Sequence, residues 1–113
     1  MRISFIGGGT DFPDYFNSHG GKVISSAINK FIYVTVKEHG HLFNEKFRLN
    51  YSLTESVNNI DKIKNEITRA CLKYLSIKGP LYISTISDVP TSSGLGSSSA
   101  FTVGLLNALH YYT

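Results

Sequence analysis

The chain has no tryptophan, one cysteine, one methionine and three prolines among its 113 residues. A single cysteine, Cys71, excludes an internal disulfide, so a packed core must hold the fold. Its expected state is a small buried apolar side chain in a reducing compartment. Charge is also sparse. Charged residues make up 17% of the chain and the formal net charge is +3. Lysines and arginines are scattered, and no basic run marks a nucleic-acid arm. The mild basic balance does suit a site for anionic phosphates. Long apolar runs are missing as well. The apolar start breaks at Gly7-Gly8-Gly9, unlike a secretory leader, and the stretch near 100–112 is too short and interrupted to span a membrane. These absences predict a soluble, cytoplasmic chain with no membrane or nucleic-acid partner. They say nothing about oligomeric state.

What is present is a core-forming composition. Hydrophobic residues reach 42%, and the length is that of one domain. Residues 2–6 read as a strand running into Gly7-Gly8-Gly9-Thr10-Asp11. After the Gly20-Gly21 turn signal, residues 22–28 read as a second strand. Residues 31–37, rich in β-branched and aromatic residues, give the clearest strand. Ile32, Val34 and Val36 share its aliphatic face, which is expected to pack against helices. Residues 46–52 add an antiparallel strand with Phe47, Leu49 and Tyr51 on one side. The period then changes to three and four at Ile60, Ile63, Ile67, Cys71 and Leu75, an amphipathic helix capped by Asn58 or Asn59. Residues 81–89 return to strand and stop at Pro90. Residues 100–109 are apolar nearly all round, as in a buried helix. The order is an α+β pattern.

Between the last strand and that helix lies Pro90-Thr91-Ser92-Ser93-Gly94-Leu95-Gly96-Ser97-Ser98-Ser99-Ala100. A strand feeding a glycine-rich turn and a helix is the physical recipe for a phosphate site. The first helical amides lack intrahelical partners, the helix dipole is positive there, and glycines let the backbone approach an anion. A serine hydroxyl at this place can also ligate magnesium carried on the phosphates. The loop is not a Walker loop, since no Gly-Lys-Ser/Thr follows, and it is not a dinucleotide fingerprint, since Ser99 stands where that motif needs glycine. Gly96-Ser97-Ser98-Ser99-Ala100 comes nearer to a serine-hydrolase elbow with Ser98 as nucleophile. That chemistry needs a later acid and histidine, and only His110 follows.

In the first glycine cluster, Asp11 either caps the next segment or accepts hydrogen bonds from substrate hydroxyls. Arg2 is either a surface cation or a phosphate-binding guanidinium. His39 and His41 have the spacing of a metal pair on a strand face. No third ligand accompanies them, and Gly40 makes a solvated turn the preferred reading.

The two glycine segments together resemble the GHMP kinase family, whose central motif is Pro-x-x-x-Gly-Leu-Gly-Ser-Ser-x-Ala. Pro90, Gly94, Leu95, Gly96, Ser97, Ser98 and Ala100 match it. The segment from Arg2 to Asp11 is similar to the branch of heptose 7-phosphate kinases and fucokinase-like enzymes, as is Gly20 to Lys30. Galactokinases carry Gly-Glu-His-Thr-Asp where Gly7 to Asp11 stand, so Gly8 and Gly9 argue against galactose.

The resemblance implies an N-terminal domain of the ribosomal protein S5 domain 2-like fold, a mixed or antiparallel sheet with helices on one face and a left-handed crossover. It implies ATP-dependent phosphoryl transfer to a sugar or sugar-phosphate hydroxyl. Residues Pro90 and Gly94 to Ala100, Ser99 included, would bind the ATP phosphates. Ser98, or alternatively Ser97, would ligate magnesium. Gly8, Gly9, Thr10 and Asp11 would bind the sugar, and Arg2 would neutralise charge in catalysis. No general base is assigned. Because family members are much longer, residues 1–113 are expected to be an N-terminal, ATP-binding fragment without its C-terminal domain, inactive alone. The competing class is a non-catalytic nucleotide- or RNA-binding module of the same fold.

Overall fold

The computed structural model describes residues 1–113. Its strands are β1 (Arg2–Ile6), β2 (Ile24–Ala27), β3 (Ile32–Glu38), β4 (Phe47–Asn50), β5 (Thr54–Val57) and β6 (Leu81–Ser87). Its helices are α1 (Pro13–His19), α2 (Glu66–Tyr74) and α3 (Ser97–Tyr112), with 3-10 turns at Gly8–Thr10 and Ile60–Lys62.

The strands divide into two sheets. β1 and β2 form an antiparallel ribbon, while the other four form a sheet ordered β3-β6-β4-β5. β3 pairs antiparallel with β6, β4 antiparallel with β5, and β4 parallel with β6. The sheet is therefore mixed. A parallel neighbour requires a crossover, and α2 lies within that connection.

The register sorts the faces. Val36 pairs with Ile83, and Leu49 with both Ile83 and Glu55. One face of the sheet thus presents Val36, Ile83, Leu49 and Phe47 to a core completed by Ile63, Leu72, Leu81, Phe101, Leu105 and Leu109. The aliphatic face of β3, Ile32, Val34 and Val36, packs there as its alternation predicts. Tyr33 and Ile86, also paired, stand exposed on the other face.

Several features differ from the sequence reading, which placed no element at α1 or β5. The helix expected from Ile60 begins at Glu66. Asn59 instead caps the short turn by accepting from the Asp61 amide, and Asn65 caps α2 by accepting from Thr68 N at 2.9 Å. Ile63 keeps its core position in the link between the two turns. Helix α3 buries only the Phe101, Leu105 and Leu109 stripe; Val103 is 67% exposed. His39, expected on a solvated turn, is buried and stacks on Phe43 with ring centroids 4.3 Å apart, while His41 is exposed. No group of three or more metal-binding side chains includes either histidine. No helix is long and apolar enough to cross a membrane.

Candidate functional site

The Pro90–Ala100 segment leaves β6 and enters α3. β6 ends at Ser87, and the ladder with β3 continues through one more residue. Asp88 N donates to Phe31 O at 3.0 Å, and Phe31 N donates to the Asp88 carboxylate at 2.8 Å. Pro90 then turns the chain away. Gly94 and Gly96 both adopt the left-handed region, at φ 72° and 71°. Gly96 is the N-cap of α3, and no side-chain hydrogen bond caps the helix there. The first backbone bond of the helix is Ala100 N to Gly96 O at 3.0 Å. The amides of Ser97, Ser98 and Ser99 therefore have no acceptor within the protein, and the first turn carries no carboxylate. Three free amides at the positive end of a sixteen-residue helix form an anion-binding surface.

Ser97 and Ser98 of this turn border a cavity of about 500 Å³. The sheet end supplies Ile32, Thr85 and Ser87, α2 supplies Ile67 beside its cap Asn65, and α3 supplies Ser97, Ser98 and Phe101. Tyr51 and Ser52 of the β4–β5 turn close one side, and Val89, Pro90 and Thr91 the other. Its wall is apolar toward Ile32, Ile67 and Phe101 and hydroxyl-rich toward the α3 terminus. That gradient fits a ligand with a flat apolar base and an anionic tail.

Tyr51 is held by chemistry absent from the motif. Its hydroxyl donates to Glu55 Oε1 at 2.6 Å. Glu55, buried on the core side of β5, also accepts from Lys64 N at 2.6 Å and Asn65 N at 3.0 Å. Burial alone would push the Glu55 carboxyl up. The Tyr51 hydroxyl and the two amides outweigh it and hold the carboxyl below its ordinary range. The same hydrogen bond, with some burial, pushes the Tyr51 phenol up to about 12. One carboxylate thereby fixes both the tyrosine on the cavity wall and the approach to α2.

The first glycine cluster joins this site through β1. Arg2 N donates to Leu95 O at 3.1 Å, and a Cβ on Gly96 would lie 3.3 Å from Arg2 Cγ and 3.7 Å from its Nε. The guanidinium also donates to Ser4 Oγ. Gly8 and Gly9 lie in the 3-10 turn with open space where side chains would stand. Thr10 Oγ1 donates to Gly7 O at 2.7 Å and accepts from Lys22 N at 3.3 Å, so its hydroxyl ties the turn to the chain entering β2. Asp11 lies beside this tie and lines a shallower hollow of about 400 Å³ with Thr10 and Lys22.

The structure thus brings Arg2 against the loop and gathers Ser97, Ser98 and Pro90 on one cavity. Asp11 and Thr10 share a separate hollow. Sequence reasoning missed Tyr51, Asn65, Thr85, Ser87 and Lys22. Only Tyr51 left a signal, its alternation in phase with Phe47 and Leu49.

Known proteins bear on this arrangement. Residues 60–113 match the family described as GHMP kinases N terminal domain. The D-glycero-alpha-D-manno-heptose 7-phosphate kinase of Campylobacter jejuni is 33% identical over 119 residues, covering 96% of this chain and 34% of that protein. The crystal structure of a D-glycero-D-manno-heptose 1-phosphate kinase from Bacteroides thetaiotaomicron superposes with a TM-score of 0.79 at 22% identity, over 99% of this chain and 40% of that one. The chain spans about a third of the length of the curated relative. The solved structure shares the fold from β1 through α3. The sequence match and the loop geometry fall on the same residues: residues 60–113 belong to the GHMP kinases N-terminal domain family.

Proposed function

We propose that residues 1–113 form the nucleotide-binding and part of the sugar-binding portion of an ATP-dependent kinase acting on a hydroxyl of a sugar or sugar phosphate, of the heptose-phosphate type. The observation that carries this is the set of free amides at Ser97, Ser98 and Ser99 in the first turn of α3, two of whose residues, Ser97 and Ser98, line the cavity. The heptose kinase names of the two relatives give the substrate class.

In this reading the amides from Gly94 to Ser99 bind the ATP phosphates and the apolar wall of Ile32, Ile67 and Phe101 receives the base. Magnesium fits the site in a limited way. Ser97 and Ser98 line the cavity and their hydroxyls make no hydrogen bond within the protein, but no cluster of three acidic or imidazole ligands exists. A hard cation would therefore be held chiefly by phosphate oxygens, with Ser98, or Ser97, adding a hydroxyl. Its chemistry is charge neutralisation on the transferring phosphoryl group. Arg2, packed beside Gly96, adds positive charge from the protein side. Asp11 accepts from sugar hydroxyls and orients the nucleophile, which is most of what a phosphoryl-transfer enzyme contributes. Unpaired Cys71 accords with a cytoplasmic location.

The test is titration with a non-hydrolysable ATP analogue and, separately, with single-stranded RNA across a salt series. The reading requires nucleotide affinity and perturbed amides at Gly94–Ser99. Salt-sensitive RNA binding without nucleotide affinity would establish the binding-module alternative.

A further inference from the structure

Two residues of the cavity wall, Tyr51 and Asn65, are joined by a carboxylate that is not part of that wall. Glu55 lies on β5 opposite Leu49 and is 7% exposed. Its Oε1 accepts from the Tyr51 hydroxyl and from Asn65 N, and its Oε2 accepts from Lys64 N. The Tyr51 hydroxyl makes no other hydrogen bond. The bonds to Lys64 and Asn65 are the only ones that join the β4–β5 hairpin to the start of α2. Asn65 also caps α2 by accepting from the amide of buried Thr68, and Ile67 of the cavity wall follows within the same turn. Displacing residues 64 and 65 therefore carries Asn65 and Ile67 with them.

Three donors converge on one side chain, and an ionised carboxylate accepts from all of them. Glutamine has the same length but one oxygen. Whichever way its amide turns, its N–H groups meet a backbone N–H, that of Lys64 or that of Asn65. The charge of Glu55 is thus what keeps the hairpin, the tyrosine and the helix cap in one arrangement before any ligand arrives. A wall held in advance spares the ligand the cost of ordering it. The glycine/serine loop is set differently. Its amides depend on Gly94, Gly96 and the start of α3, and none of its hydrogen bonds involves Glu55. Resting on the nucleotide-binding reading above, we propose that Glu55 is a positioning residue for the nucleoside part of the ligand. It touches no ligand itself. It acts through Tyr51 and Asn65, and its loss weakens the grip on the nucleoside while the grip on the phosphates stays.

The test compares a non-hydrolysable ATP analogue with inorganic tripolyphosphate, each titrated with magnesium into the unaltered chain, Glu55→Gln and Tyr51→Phe. Tripolyphosphate reports the loop alone, and the analogue reports loop and wall together. Glu55→Gln should weaken analogue binding by about tenfold, the scale of a small misplacement, and leave tripolyphosphate binding unchanged. Tyr51→Phe keeps the ring and removes only its tether. It should weaken analogue binding by about threefold, the scale of one hydrogen bond, again with tripolyphosphate unchanged. A general loss of stability cannot produce that split, because it lowers both affinities together. Tyr51→Phe loses a single hydrogen bond, so it decides the matter where Glu55→Gln does not fold. Unchanged analogue affinity in Tyr51→Phe or in folded Glu55→Gln, or a parallel fall for both ligands, would overturn the proposal. Amide resonances separate the two readings. Response at Gly94–Ser99 with the same analogue affinity in every variant sinks this inference and leaves the kinase reading standing. Silence at Gly94–Ser99 toward both ligands removes the kinase reading and this inference with it.

Discussion

The amide of Arg2 donates to the carbonyl of Leu95 at 3.1 Å, so the second residue of the chain is fastened to the middle of the glycine/serine loop. This bond ties β1, the strand that leads into the first glycine motif, to a loop far away in sequence. It also sets the Arg2 side chain alongside Gly96, whose left-handed φ of 71° no β-branched residue adopts without strain.

Gly96→Val therefore acts twice. The backbone conformation costs about 1–2 kcal/mol in a residue with a Cβ, and the branched side chain crowds both Arg2 and the phosphate path. We expect ATP-analogue affinity to fall at least about tenfold, roughly 1.4 kcal/mol, measured by calorimetry. Gly96→Ala should show the backbone strain with less of the steric loss. Unchanged affinity in Gly96→Val would move the phosphates away from this loop.

The two serines lining the cavity are separable by their metal dependence. If the Ser98 hydroxyl ligates magnesium, Ser98→Ala weakens binding of the magnesium–nucleotide complex by about tenfold, on the order of 1.4 kcal/mol. Binding measured in excess chelator then changes little, because the Ser98 amide remains. Ser97→Ala should leave both nearly intact. A reversed pattern would assign the metal to Ser97. Equal losses with and without metal would make either hydroxyl a phosphate donor only.

Much of this was legible in the residues. β3 revealed itself because β-branched alternation matches a half-buried pleated surface, and the loop because Gly94, Gly96 and the serines precede an apolar helix. Helix α1 was harder. Residues 13–19 lack the periodic apolar stripe that exposes a helix, and none of them is buried. Their evidence was all at the ends: Pro13 at the first helical position, Asp14 in the first turn and Gly20 at the stop. β5 was missed because its core-facing residue is Glu55, a carboxylate where a strand pattern leads one to expect an aliphatic side chain. The start of α2 was misplaced because Ile60 and Ile63 fit its period by coincidence of a 3-10 turn.

The site was legible where it is made of backbone and illegible where it is assembled. Glycines announce close approach in the sequence itself. The wall formed by Tyr51, Asn65 and Thr85 exists only once β4, α2 and β6 are packed together, and no local pattern encodes that meeting. His39 follows the same logic. Its neighbour Gly40 suggested solvent, but the rings of Phe43 and of Tyr82, which lies on the sheet face opposite Leu81 and Ile83, stack on it.

The loop depends on the seat of α3. Leu105 is fully buried, and Phe101 and Leu109 flank it on the same stripe. Leu105→Ala removes buried methyl groups and leaves a cavity between α3 and the sheet, at a cost of about 2–5 kcal/mol. For a chain of this size that is a large share of total stability. Urea denaturation should show the lower midpoint, and ATP-analogue affinity should fall with it as the first turn of α3 loses its fixed position. Val103→Ala, on the exposed face of the same helix, should shift the midpoint by less than about 0.5 kcal/mol.

Glu55 and Tyr51 give the structure a pH signature on two flanks. The folded state holds the Glu55 carboxyl below 4.5 because its charge accepts three hydrogen bonds. The stability this supplies is complete above the unfolded value and is lost as pH falls through the lower folded value. Tyr51 works in the opposite direction. Its phenol must keep its proton to donate, and its folded value rises from 10.0 to about 12. That contribution is complete below pH 10.0 and is lost as pH rises toward 12. Denaturation across pH should therefore fall off on both sides of a neutral plateau. Tyr51→Phe should flatten the alkaline side and lower the plateau by about 1 kcal/mol, the usual worth of one hydrogen bond. Glu55→Gln should flatten the acid side and lower the plateau by about 1.5–3 kcal/mol, since the lost bonds are to a charge. The double variant should lose less than the two separate losses combined, because both remove the same 2.6 Å contact. Strict additivity would mean that the hydroxyl and the carboxylate stabilise the turn independently.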